Sequence, residues 1–227
     1  MVKTGSLYTS GHGVGMRDAD VRKAVKAQLD ALHKGDPTTR VVEEMGIWSG
    51  TVRVDIAVIN GELNGFELKS DSDTLDRLPN QVEIYGKVFD RMTLVVGGRH
   101  YEKALSRIPD WWGCIVATME SGQVSLNTRR KAKRNPSPDP DILVQLLWKN
   151  EALAVLDKYG FAEGWRNKRS AEITDRLVNK LSYRRLAASV RETLKARAKL
   201  GQLSSSNFDM PIDAIADPTS RTSGSGS

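Results

Sequence analysis

The chain has 227 residues, enough for one large domain with an appendage, and its 27% charged and 39% hydrophobic residues are those of an ordinary globular protein. A formal charge of +6 points to an anionic partner, of which nucleic acid is the usual one. The single cysteine, Cys114, excludes an intrachain disulfide and any all-cysteine iron–sulfur or zinc site, and it suits a reducing, cytoplasmic setting.

The first residues, 1–15, read as a flexible N-terminus without the apolar stretch of a signal peptide. Their Gly11-His12-Gly13-Val14-Gly15 follows no strand and matches no nucleotide-binding glycine pattern. Val21, Ala24, Val25, Leu29 and Leu32 recur at helical spacing over Asp18–Lys34, and Gly35 ends that helix. Thr38–Glu44 is a short β-like run. Val52–Ile59 and Leu63–Lys69 are two apolar strands separated by the turn signal Asn60-Gly61. Asp71–Asp73 can cap a short helix, and Pro79 suits the first turn of a longer one reaching Phe89. Met92–Val96 reads as a strand and His100–Arg107 as a short helix. Gly113–Met119 and Val124–Asn127 read as strands joined by Ser121-Gly122, with Cys114 and the Trp111-Trp112 pair in the core. The order α-β-β-β-α-β-α-β-β predicts an α/β domain with a mixed sheet over residues 16–128.

Composition changes after residue 128. Arg129, Arg130, Lys131, Lys133 and Arg134 lead into NPSPDPD, and residues 129–141 read as a basic, Pro-rich linker. Residues 142–203 carry a helical pattern with breaks near Gly160–Gly164 and Ser182. Between Trp165 and Lys199 there are 11 Lys/Arg against 3 Asp/Glu, so positive charge gathers in the C-terminal third. Residues 204–227 are rich in Ser, Gly, Thr and Asp and read as a disordered tail. The longest apolar run, near Ile142–Trp148, is too short to cross a bilayer, so no membrane partner is expected.

The stretch VRVDIAVINGELNGFELK carries the chemistry. Asp55 sits in one apolar strand, and Glu67 and Lys69 sit in the next. Carboxylates at the ends of buried strands are costly unless they serve a charged ligand. Mg²⁺, or Mn²⁺ in its place, prefers such hard oxygen ligands, with the Leu68 carbonyl as a natural third donor. Lys69 shares a strand face with Glu67 and can orient water or stabilise a phosphodiester transition state. A two-residue turn at Asn60-Gly61 would pair Ile59 with Glu62 and put Asp55 on the face opposite Glu67. Shared metal binding therefore predicts an odd-length loop or a bulge between Ile59 and Gly65, with Gly61 or Gly65 in an unusual backbone conformation.

Asp55, eleven residues, then Glu67-Leu68-Lys69 resembles the signature of the PD-(D/E)XK nuclease superfamily. That resemblance implies a restriction-endonuclease-like αβββαβ core over the first part of the chain, followed here by a C-terminal helical region. Val54 stands where that signature often has proline. The resemblance also implies an upstream acidic metal ligand, for which Glu44 fits and Glu43 competes. The stretch Glu44 to Asp55, EMGIWSGTVRVD, looks like a bacterial DNA-repair-associated branch. Gln81 and Tyr85, four residues apart on one helix face, resemble the QxxxY motif of superfamily exonucleases, whose four cluster cysteines this chain lacks. By that resemblance both side chains would reach a phosphate or the catalytic lysine.

The expected function is Mg²⁺-dependent DNA cleavage in repair, recombination or phage and mobile-element defence, with RNA as the alternative substrate. Asp55, Glu67, Lys69, Gln81 and Tyr85 are the catalytic candidates, and Glu44, Asp55, Glu67 and Leu68 the metal ligands. Arg77 and the 129–134 basic run are the candidate nucleic-acid contacts, although Arg77 can instead pair with Asp73 or Asp76 on its own helix. His12, His33 and His100 show no metal-ligand spacing. A homodimer or a DNA-processing protein is the expected protein partner. The competing readings are a relative that binds nucleic acid without cutting it and a protein-interaction module.

Overall fold

A computed structural model describes residues 16–47 and 52–199. The expected flexible N-terminus and Ser/Gly-rich tail lie outside the described residues.

Six strands form one mixed sheet in chain order: β1 (Arg40–Ile47), β2 (Val52–Ile59), β3 (Leu63–Lys69), β4 (Arg91–Gly97), β5 (Gly113–Glu120) and β6 (Gln123–Arg130). The β3–β4 and β4–β5 pairs are parallel and the others antiparallel. The parallel connections carry α2 (Leu78–Val88) and α3 (Tyr101–Leu105), as parallel strands require a crossover. The element order matches the sequence expectation.

Several boundaries move for physical reasons. β1 runs past Glu44 because Met45 and Ile47 are fully buried and pair with Val54 and Val52. Residues 71–77 form turns and no capped helix; Asp73 instead accepts the Ser70 amide at 2.7 Å. The β5 strand starts at Gly113 as expected, after Trp112 closes a turn onto the Pro109 carbonyl. The β5–β6 turn is Ser121-Gly122, both at positive φ (49° and 79°), as a two-residue hairpin of primed type demands.

The sheet is covered on both faces. α1 (Asp18–Leu32) lays Val21, Val25 and Leu29 on Ile56, Val58, Leu68 and Val95. The other face packs against α2 and the C-terminal helices α4 (Pro140–Leu143), α5 (Lys149–Lys158), α6 (Ser170–Lys180) and α7 (Tyr183–Lys199). One continuous core joins Val54, Ala57 and Leu94 of the sheet with Leu156, Leu177, Leu186 and Leu194 of these helices.

The basic Pro-rich segment is fastened along this core. Arg129 and Arg130 belong to β6. Beyond them the Lys133 amide donates to the Trp111 carbonyl at 2.8 Å, and the Asn135 side chain donates to the Gly86 and Phe89 carbonyls at 2.7 and 2.9 Å. The Asp139 side chain then caps α4. Asp90 adds a second clasp, its carboxylate accepting the Leu63 amide and Arg191 of α7. Among the described residues no helix is long and apolar enough to cross a membrane.

The β2–β3 hairpin turns on three residues, Asn60–Glu62, so Ile59 pairs with Leu63 and Ile56 with Phe66. The odd loop expected from the chemistry is present. The expected glycine conformations are not, since neither Gly61 nor Gly65 has positive φ. The Asn60 side chain closes the loop instead, accepting the Glu62 amide at 2.9 Å. Gly65 is required for space, because a Cβ there would overlap the buried Met92 sulfur and press on the Phe89 ring.

Gly65→Ala is therefore expected to destabilise the fold by about 1–3 kcal/mol through overpacking. Gly61→Ala, where an added Cβ meets nothing within 4 Å, is expected to stay within about 0.5 kcal/mol of the native protein. Urea unfolding of the two variants checks this contrast.

Candidate active site

Register brings the two carboxylates to one level. Pairing between β2 and β3 ends at Ile56–Phe66, and one step further Asp55 stands opposite Glu67. On the other side of β2, Glu43 pairs with Ile56 and Met45 with Val54, so Glu44 stands opposite Asp55. Strict alternation fails at this level in both strands. Val42 and Met45 of β1 face the same core, as do Val54 and Ala57 of β2. Glu44 has φ 52°, a left-handed conformation that costs a residue with a Cβ about 1–2 kcal/mol. The local reversal of facing is therefore centred on Glu44 and Asp55.

The Asp55 carboxylate lies in the gap where the strands part. Its Oδ2 accepts the Leu68 amide at 2.8 Å, so the Leu68 group touching Asp55 is the N–H rather than the carbonyl. Its Oδ1 accepts Arg22 Nη2 at 2.7 Å. Arg22 reaches down from α1, and its Nη1 also lies 2.9 Å from Glu44 Oε1. Asp18, one helical turn before it, holds the Arg22 Nε at 3.2 Å. Burial alone would lower the Arg22 pKa, but the hydrogen bond and charge of Asp55, with Asp18, hold it above its ordinary value.

Glu67 is approached from the opposite face of the sheet and is only 2% exposed. Lys69 Nζ and Gln81 Nε2 each donate to its Oε1 at 2.6 Å. The Tyr85 hydroxyl lies 3.0 Å from its Oε2 and 2.7 Å from the Arg53 carbonyl. A phenol has one hydrogen, so Tyr85 serves one of these two acceptors at a time. Burial, then the charge of Asp55, pushes the Glu67 carboxyl up to about 7, against the pull of Lys69 and Tyr85. Burial and the neighbouring Glu67 raise the Tyr85 phenol, which keeps its proton.

The expected site residues divide into those the fold brings together and those it does not. Asp55, Glu67, Lys69, Gln81 and Tyr85 converge. Gln81 lies on the same face of α2 as Tyr85, and its Oε1 is buried with no partner among the described residues. Tyr85 is fully buried, stacked on Trp112 and edge-on to Phe89, so it supports Glu67 instead of reaching a phosphate or Lys69. Glu44 is present at the right level but is turned to Arg22 and, at 3.8 Å, to Arg53. Among the described residues no group of three or more His, Cys, Asp or Glu is gathered closely enough to hold a metal, so Glu44, Asp55 and Glu67 do not form a ready cage. The reason is visible in the contacts: Arg22 occupies the Asp55–Glu44 side, and α2 draws Glu67 the other way. Two carboxylates at one level, with the Glu67 carboxyl raised by burial and then by the charge of Asp55, are the hard oxygen donors that a divalent cation takes. The orphaned Gln81 oxygen adds an acceptor beside them.

The basic candidates also divide. Arg130 is used internally, donating to the Trp112 and Pro109 carbonyls at 2.8 and 3.0 Å. Arg129, Lys131, Lys133 and Arg134 are exposed. Arg77 is exposed at the N-cap of α2 and forms no ion pair with Asp73 or Asp76 among the described residues. Sequence reasoning missed Arg22. The only signal was its i,i+4 spacing from Asp18, which is ordinary on a helix surface.

A family model described as bacteriophage P4 protein cII matches residues 16–208 of the chain. Protein cII of Enterobacteria phage P4 is 26% identical over 157 residues, covering 69% of this chain and 59% of the phage protein. The match thus spans less than two thirds of that protein's length. A solved protein of unknown function from Silicibacter pomeroyi aligns at 19% identity and a TM-score of 0.39, covering 68% of this chain and 98% of that one.

The Glu67 carboxyl sets a pH dependence of stability. It ionises near 4.5 in an unfolded chain and near 7 in the fold, so the fold holds this proton more tightly. Stability from that proton is complete below pH 4.5 and is lost as pH rises through 7. Between pH 5 and pH 8 the stability of Glu67→Gln relative to the native protein is expected to shift by up to about 3 kcal/mol in the variant's favour. Urea unfolding of both proteins at the two pH values measures the shift, and a gap independent of pH would contradict the assignment.

Proposed function

We propose that this chain, which belongs to the bacteriophage P4 protein cII family, is a Mg²⁺- or Mn²⁺-dependent deoxyribonuclease built on a restriction-endonuclease-like core. The observation that carries the reading is the buried Glu67–Lys69 pair lying opposite Asp55, at the point where two adjacent strands separate. Burying a carboxylate and a lysine beside a half-buried Asp55 serves no packing purpose that apolar residues would not serve better.

Asp55 and Glu67 would hold the cation, with the Leu68 carbonyl as the expected third donor. The bound cation would neutralise charge developing on a phosphodiester and make water a better nucleophile. The chain's own groups do the rest. Gln81 and Tyr85 fix the Glu67 carboxylate from α2, and that support keeps its orientation independent of the ligand. Lys69, held 2.6 Å from Glu67, supplies a fixed positive charge beside the reacting phosphate and an N–H to orient the attacking water. Arg77, Arg129, Lys131, Lys133 and Arg134 are exposed cations available to the nucleic-acid backbone, a contact weakened by added salt. Cutting both strands of a duplex would call for a second copy or a DNA-processing partner, because one such site attacks one strand.

A second reading, nucleic-acid binding without cleavage, is favoured by one observation. Arg22 already bridges Asp55 and Glu44.

Cleavage of labelled single- and double-stranded DNA, and of RNA, in Mg²⁺, Mn²⁺ or EDTA separates the two. The nuclease reading expects metal-dependent cutting that falls at least about 100-fold in Asp55→Asn and in Lys69→Ala, the scale of a lost acid–base or charge-stabilising group. Tight binding with no cutting of any substrate in either metal selects the second reading.

A further inference from the structure

We propose that Arg22 is a built-in counter-cation that competes with the divalent metal for Asp55 and Glu44, so that the arginine occupies the site until metal displaces it. The proposal rests on the metal-dependent reading above and deepens it.

Three features of the site carry the argument. First, the contacts are with carboxylate oxygens that a cation would need. Arg22 Nη2 lies 2.7 Å from Asp55 Oδ1, and Nη1 lies 2.9 Å from Glu44 Oε1. The second Asp55 oxygen is already engaged by the Leu68 amide, so Oδ1 is the oxygen left to share. A divalent ion bound to Oδ1 at its usual distance of about 2.1 Å would sit no more than about 5 Å from the guanidinium. Two cations at that separation in a part-buried site repel strongly.

Second, the competition is asymmetric across the site. Arg22 comes from α1 and touches Asp55, Glu44 and Asp18. Glu67 has its own cation, Lys69, and its own supports on α2. Displacing Arg22 therefore frees one side of the site and leaves the Glu67 side in place.

Third, the arginine has somewhere to go. Asp18 lies one turn before Arg22 on the same helix and is 45% exposed. It can hold the guanidinium at the surface when Asp55 releases it. The displaced charge would then stand at the edge of the site, facing solvent and any phosphate that approaches.

The consequence is an apparent metal affinity lowered by the fraction of time Arg22 holds Asp55. Mn²⁺ binding to the full chain, followed by isothermal titration calorimetry and by the loss of the free Mn²⁺ electron-spin signal, tests it. Arg22→Gln and Arg22→Ala are each expected to bind Mn²⁺ at least about tenfold more tightly than the native protein, with Arg22→Lys between them. Both variants should melt at lower temperature without metal, because Asp55 loses its partner, and should gain more from added Mn²⁺ than the native protein does. Lys26→Ala removes a cation one turn along the same helix whose partner is Asp30, and it should leave Mn²⁺ affinity unchanged. If the native protein binds Mn²⁺ and Arg22→Gln binds it equally or more weakly, the competition is refuted while the metal-dependent reading stands. If neither the native protein nor any Arg22 variant binds Mn²⁺, both fall together.

Discussion

The candidate site depends on one constraint, the register of the β2–β3 hairpin. A strand repeats its facing every two residues, so the parity of the connecting loop decides which side chains can meet. Three loop residues, Asn60–Glu62, set Asp55 opposite Glu67. Two or four would have set Asp55 opposite Phe66 or Leu68 instead. The strands then part beyond Ile56–Phe66, and the Asp55 carboxylate takes the Leu68 amide in place of a backbone partner. The divergence is thus bridged by a side chain, which gives the Leu68 N–H its acceptor.

The sheet's two coverings act on this gap differently. α1 supplies a cation to Asp55 and Glu44, and α2 supplies hydrogen bonds to Glu67. The left-handed Glu44 belongs to the same design. Its backbone strain reverses the facing of β1 at the level of Asp55, so that Val42 and Met45 both reach one core while Glu44 stays at the site. Desolvation, and after it the nearby Asp55 charge, push the Glu67 carboxyl up, while Lys69 pulls it back. The arrangement stores electrostatic demand on one side and satisfies it with Arg22 on the other.

The C-terminal helices are part of the same core, and much of their charge is spent inside the molecule. Arg197 of α7 is 4% exposed, pairs with Glu151 of α5, donates to the Leu146 carbonyl at 2.9 Å and lies 4.0 Å over the Trp148 ring. Arg191 binds Asp90 at 3.2 Å, and Arg176 lies 4.3 Å over the Trp165 ring. These arginines bridge helices to one another and to the sheet, which is a packing role that a count of charges cannot separate from a nucleic-acid-binding one. Arg184 and Arg185, exposed near the start of α7, are among the cations that remain on the surface.

Local pattern determined most elements of the fold. Helical spacing of Val21, Val25 and Leu29 specified α1, alternation and turn residues specified the strands, and Ser121-Gly122 specified a tight hairpin. It also singled out Asp55, Glu67, Lys69 and Gln81, because charged and amide groups in apolar runs are conspicuous by their cost. Tertiary structure decided what those groups face. Tyr85 became a buried support because Trp112, distant in sequence, packs on its ring. Asn135 and Asp139 tied down a segment whose prolines and charges read as a linker, through backbone acceptors on α2 and at its end that no local pattern reveals. Arg22 joined the site only because α1 crosses the sheet at the level of Asp55, 33 residues away. Periodicity is a property of neighbours along the chain, whereas the partners of a buried charge are set by which elements the folded chain lays side by side.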